Sequence, residues 1–179
     1  MIPGAKKRRK PILQHNEIIQ FSGFHLEAGA SLGPMTHPGA VLALDFGTRR
    51  IGLAVSDPDR TLAFPAGHLE RDTPERDFLA LENLIREREI ARIVVGLPLH
   101  MNGRPGEMAE AARTFARTLA ERSRLEVELL DERLTSAEAK RSLRGRTGAK
   151  RRTSKGDVDA VAATLLLSTY LERSGGART

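Results

Sequence analysis

Five acidic side chains sit where strands and helices begin or end: Asp45, Asp131, Glu132, Asp157 and Asp159. Asp45 is the hardest of them to explain away. It lies in "VLALDF", an otherwise apolar run, and a buried strand rarely carries a carboxylate unless the charge is paired or holds a ligand. Carboxylates gathered in one pocket repel each other and persist only if a cation neutralises them. The chain has no cysteine and only five dispersed histidines. A hard cation with oxygen ligands, Mg²⁺ or Mn²⁺, is therefore the natural partner. Two such ions about 3.5–4 Å apart can activate a water and stabilise a leaving oxygen in phosphodiester hydrolysis.

Elements narrow the set. Adjacent side chains of a strand face opposite ways, so Asp131 and Glu132 cannot both enter one site. Asp157 and Asp159 are about 200° apart on a helix, so one of them at most faces it. Ordinary roles compete at several positions. Asp157 suits the first turn of a helix. Asp131 has Arg133 close by to pair with. Asp57 and Asp59 flank Pro58 and read as turn residues.

The order of elements predicts how these positions meet. "VLALDF" and "IGLAVS" are apolar strands joined by "GTRR", a hairpin connection. "TLAFPAGHLE" is a third strand, with Pro65 marking an edge or a bulge. Helical spacing begins at Pro74, with Phe78, Leu81, Leu84 and Ile85 on one face up to Arg88. "ARIVVGLP" is a fourth strand. Glu107–Arg122 is a helix with Met108, Ala111, Ala112, Phe115 and Leu119 inward. "EVELLDE" is a fifth strand. "SAEAKRSL" opens a helix capped by Ser136, broken by Gly145–Gly156. "DVDAVAATLLLSTYLERS" is the last helix, ending at Gly175. Strands separated by helices pair in parallel. The expected fold is α/β: a mixed five-stranded sheet, three strands antiparallel and then two parallel, flanked by helices.

Residues 1–40 differ from the rest and are expected to form a disordered basic extension, with the domain proper at 41–174 and a flexible tail at 175–179. The composition, 40% hydrophobic and 29% charged over 179 residues, suits a folded domain of this size. The net charge of +6 is unevenly spread. Eight Lys or Arg and no acid lie between Lys140 and Lys155, and five more lie at Lys6–Lys10. The longer run falls between the candidate acids, which favours contact with nucleic-acid phosphates over mere solvation. Arg49, Arg50, Lys140, Arg141, Lys150, Arg151, Arg152 and Lys155 are the expected phosphate contacts. With six Phe and one Tyr, base stacking is not the expected main mode of recognition. No apolar run approaches the ~20 residues of a membrane helix, and the N-terminus is too polar for a signal peptide. A cytoplasmic location without membrane contact is expected.

Four stretches, "LDFGTRRIGLAVSD", "VVGLPLHMNGRPGEMAEAARTFA", "LLDERLTSAEA" and "KGDVDAVAATLLLSTYL", resemble the YqgF/RuvX family in order, over about residues 40–173. The resemblance implies an RNase H-like fold. It also implies a nuclease, described both as a Holliday junction resolvase related to RuvC and as a processor of the 5′ end of pre-16S rRNA. Carried over by motif, Asp45 is the first-strand acid, Glu132 the "DER" acid and Asp159 the last-helix acid, as catalytic and metal-binding residues. The last rests on K-x-x-x-D-x-x-A-A, met by Lys155, Asp159, Ala162 and Ala163. Some members have one residue fewer there, so Asp157, with Asp131, is kept as a backup ligand. The segment Gly96–Pro98 and the loop with Asn102 and Gly103 are expected at the rim of the site. Expected substrates and partners are structured RNA or branched DNA and ribosomal precursor particles. A homodimer would suit a two-fold symmetric junction, and a monomer would suit RNA processing.

Two other readings compete. "DFGTRRIG" also resembles the first phosphate motif of actin-like and Hsp70-like ATPases, but the chain lacks candidates for their other nucleotide motifs. A non-catalytic nucleic-acid-binding module is the other rival, against which the full set of acids argues.

Overall fold

The computed structural model describes residues 38–134 and 155–175. Strands β1 (Ala40–Phe46), β2 (Arg50–Ser56) and β3 (Ala63–Glu70) are followed by helix α1 (Pro74–Glu87), strand β4 (Ile90–Leu97), helix α2 (Glu107–Ser123) and strand β5 (Glu126–Asp131). A short 3₁₀ turn (Glu132–Leu134) and the long helix α3 (Lys155–Gly175) complete the order. The sheet runs β3-β2-β1-β4-β5. β1–β2 and β2–β3 are antiparallel, while β1–β4 and β4–β5 are parallel. This is the mixed sheet expected from the order of elements. Pro65 lies on β3, an edge strand, where a missing N–H costs no ladder bond.

Alternation along the central strands divides the core in two. Leu42, Leu44 and Phe46 of β1 join Ile93, Val95 and Leu97 of β4 beneath α1 and α2. Phe115 of α2 stacks on Phe78 of α1 at 5.0 Å and tilts against Phe46 at 4.7 Å. Val41 and Ala43 of β1, with Ala54 and Val94, pack instead under Ala163, Leu166, Leu167 and Tyr170 of α3. The buried stripe of α2 runs through Ala109, Ala112 and Ala116, and Ala111, expected inward, is exposed.

Several boundaries moved for local reasons. β3 begins at Ala63 because the Asp57 carboxylate captures the N–H groups of Thr61 and Leu62, each at 2.7 Å, and the Thr61 hydroxyl at 2.7 Å. Burial opposes the charge on Asp57, but these donors outweigh it and hold its carboxyl below the ordinary value. β5 stops at Asp131 because Arg133 folds back on that carboxylate, donating its backbone N–H at 3.0 Å. Glu132 thus opens the 3₁₀ turn instead of ending a strand. α1 starts with Pro74 at its first turn, and the Thr73 hydroxyl accepts from the Arg76 N–H. The expected helix at Ser136 and the break at 145–156 fall mainly outside the described residues, as does most of the N-terminal extension. No helix among the described residues is long and apolar enough to cross a membrane.

Candidate active site

Val41 and Ala43 face α3, so Asp45, in step with them, faces α3 too. Its antiparallel partner is Gly52 of β2. On its other side β4 runs parallel, with Leu44 beside Val95. One step further along that ladder, Gly96 comes alongside Asp45. A half-buried carboxylate is therefore flanked by two glycines in one row across the sheet.

Each glycine makes room for another acidic residue. A Cβ built at Gly52 would overlap the carbonyl oxygen of Asp159 and stand 2.6 Å from its carbonyl carbon. Only a residue without a side chain lets the backbone of α3 settle there. A Cβ at Gly96 would lie 2.5 Å from Oε1 of Glu132, so that carboxylate fills the space over the end of β4. β1, β4 and β5 are parallel, which puts Asp45, Gly96 and Glu132 at one end of the sheet. The first turns of α3 bring Asp159 over that same face.

The turn after β1 is braced from the opposite side. Arg71 donates to the Gly47 carbonyl at 3.1 Å and to Asp77 at 3.4 Å, and its guanidinium lies 4.6 Å from the centre of the Phe46 ring. Asp77, 3% exposed, also accepts the Asp72 N–H at 3.0 Å. The strand end that carries Asp45 is thus tied to the start of α1.

Asp131 lies in step with Leu129 and opposite Leu97, both on the α1–α2 side. Arg133 holds it through Nη2 at 2.6 Å and Nε at 3.0 Å, and this hydrogen bonding keeps the Asp131 carboxyl below its ordinary value. Arg133 also reaches the Met101 carbonyl at 3.4 Å. That contact props the loop between β4 and α2, which is closed by a bridge between Leu99 and Pro105. Asn102 accepts the Arg104 N–H there, and Gly103 has φ +81°.

Of the expected phosphate contacts, Arg49 is exposed in the hairpin turn. Arg50 is engaged within the protein, with Nε 3.2 Å from Glu70 and Nη1 3.9 Å from Asp159. Lys140, Arg141, Lys150, Arg151 and Arg152 lie outside the described residues. Lys155 and Asp157 belong to α3, but their side chains are not among those described.

Gly52, Glu70 and His68 had no role in the sequence reading. The row across the sheet continues through Gly52 to His68 of β3. Gly52 did carry a signal, since a glycine inside an apolar strand marks a close backbone approach.

Among the described residues, no three His, Asp or Glu side chains are gathered into a ready metal cage. The donors fit a hard divalent ion in kind. They are carboxylates, and the two glycines admit Glu132 and the backbone of Asp159 on either side of Asp45.

A family model described as "Holliday junction resolvase", RuvX, matches residues 39–173. The chain belongs to the RuvX family. A relative from Chloroflexus aurantiacus, named "Putative pre-16S rRNA nuclease", is 44% identical over 132 residues, 74% of this chain and 86% of the relative. One of the same name from Koribacter versatilis is 44% identical over 142 residues, covering 79% and 92%. Among solved structures, T. thermophilus RuvC in complex with a Holliday junction substrate superposes with a TM-score of 0.54 at 15% identity. That match covers 76% of this chain and 96% of RuvC, and establishes a shared fold.

Proposed function

We propose that this RuvX chain is a divalent-metal-dependent nuclease that hydrolyses phosphodiester bonds at the 5′ end of pre-16S rRNA. The observation that carries this reading is the row Gly52–Asp45–Gly96, over which Glu132 and Asp159 are placed by close approach. Asp45, Glu132 and Asp159 would hold the ion or ions, with Asp157 as the alternative to Asp159 on the last helix. Bound Mg²⁺ or Mn²⁺ would supply an activated water and charge stabilisation at the leaving oxygen. Asp45 fixes the centre because it is set in the most buried strand. Gly52 and Gly96 set how near the other two acids come to it. Arg49 and the basic segment at 140–155 receive flanking phosphates. The catalytic unit spans 41–174, in line with the extent of the family match. Precursor ribosomal particles in the cytoplasm are the proposed setting.

Resolution of a four-way DNA junction is the second reading. It draws on the family description and on the RuvC-like fold. One preparation given a pre-16S leader and a four-way junction, each with Mg²⁺, Mn²⁺ or EDTA, separates the two. Cleavage of the leader, abolished by EDTA and by Asp45→Asn in a folded variant, is expected. Cleavage of the junction alone would move the function to DNA. Undiminished activity of Asp45→Asn would remove the metal-site reading.

A further inference from the structure

We propose that Arg50 is a built-in counter-cation for Asp159, held by Glu70, and that this pair sets how tightly the acidic centre takes a divalent ion. The inference rests on the metal-site reading above and adds two positioning residues to it.

Arg50 opens β2 two residues before Gly52, so both face α3. Its partner on β3 is Glu70, and that pairing depends on a bulge. Ala54 pairs with Pro65, but Gly52 pairs with His68, so β3 carries one extra residue between them. Gly67, with φ +81° and open space where a side chain would be, lies at that insertion. If the same sequence paired from Pro65 onwards with no bulge, Leu69 would oppose Arg50 and Glu70 would point to the α1–α2 side. The bulge turns Glu70 towards Arg50 and leaves Leu69 packed on the other core.

The guanidinium then spans two carboxylates, with Nε on Glu70 at 3.2 Å and Nη1 towards Asp159 at 3.9 Å. The side chains are 31%, 51% and 33% exposed, for Arg50, Glu70 and Asp159. Exposed pairs of this kind contribute little to stability, so holding the fold together is a poor account of them. They exchange easily, which suits a cation that must yield. A divalent ion taken by Asp159 meets the charge of Arg50 at short range, so binding requires the arginine to swing away. Glu70 is the anion that receives it. Arg50, displaced from Asp159, is then available to a substrate phosphate at the same place.

Mn²⁺ binding to the protein without nucleic acid, followed by electron paramagnetic resonance, tests this, with thermal unfolding as a check on folding. Arg50→Gln is expected to bind Mn²⁺ roughly three- to tenfold tighter than wild type. Glu70→Gln is expected to bind about two- to threefold weaker, because Arg50 then settles on Asp159. The double variant is expected to match Arg50→Gln, since Glu70 acts only through the arginine. If Glu70→Gln weakens binding equally in both backgrounds, Glu70 acts by its charge alone and the relay is wrong. If wild type binds Mn²⁺ and Arg50→Gln binds it no tighter, the inference falls and the metal site stands. If wild type binds no Mn²⁺, the inference falls together with the reading beneath it.

Discussion

Gly52→Ala is a single-methyl test of the whole arrangement. The added Cβ would overlap the carbonyl oxygen of Asp159 and stand 2.6 Å from its carbonyl carbon and 3.3 Å from its Cα. Non-bonded carbons rest at about 3.5–4.0 Å, so α3 must lift from β2 by about 1 Å. Both sides of the clash are backbone, and no rotamer change relieves it. Overpacking of this kind costs about 1–3 kcal/mol. Backbone conformation adds nothing, because the φ of Gly52 is not in the left-handed region. The displaced part of α3 carries Asp159, and a misplacement of about 1 Å can cost about 100-fold in rate. Urea unfolding should show the stability loss. Cleavage at a temperature where the variant is fully folded should show the rate loss on top of it. Wild-type stability together with wild-type cleavage would refute the close approach and the site built on it.

Gly96→Ala should behave differently. Its Cβ meets the flexible end of Glu132 at 2.5 Å, so stability should change by less than about 0.5 kcal/mol while cleavage falls strongly. Glu132→Gln should cost at least about 100-fold in cleavage. Asp131→Asn should cost under about 1 kcal/mol of stability and little activity, and equal activity losses in the two would place the wrong acid at the site. Asp57→Asn should lose about 1 kcal/mol at pH 7. The folded-state carboxyl of Asp57 is held low, so its contribution is complete above the ordinary carboxylate value of about 3.9 and disappears as pH falls through the lower folded value. Urea midpoints of the two proteins should therefore converge in acid, and a constant difference down to pH 2 would contradict this.

Periodicity carried the fold well. Leu42, Leu44 and Phe46 alternate with Val41, Ala43 and Asp45, and that two-residue rhythm already assigns Asp45 to a face. The same rhythm separates Asp131 from Glu132, although the strand stops at Asp131 and a 3₁₀ turn carries Glu132. Boundaries moved where a side chain competed with the ladder for backbone groups. Asp57 took the N–H groups of Thr61 and Leu62, and Asp131 took that of Arg133. Such competition depends on rotamers and turn geometry, which no periodic pattern encodes.

The candidate site was legible as a list of acids but not as an arrangement. Glu132 and the backbone at Asp159 come in over β4 and β2 through the room that two glycines leave, and an extra residue in an edge strand accompanies the pairing of Glu70 with Arg50. Gly52 in "IGLAVS" announces that something comes close, yet its visitor, the backbone at Asp159, is more than a hundred residues away in the chain. Glu70 is less legible still. Counting from Pro65 with strict alternation sends it to the wrong face, and only the insertion at Gly67 turns it back. A one-residue shift in an edge strand therefore decides whether Arg50 has an anion beside the acidic centre. Deleting Gly67 removes the insertion and lets Pro65, Ala66, His68, Leu69 and Glu70 pair without a break against Ala54 to Arg50. Glu70 then stays opposite Arg50, so the deletion should keep the wild-type Mn²⁺ affinity. An affinity as weak as that of Glu70→Gln would show that the Arg50–Glu70 pairing does not follow this register.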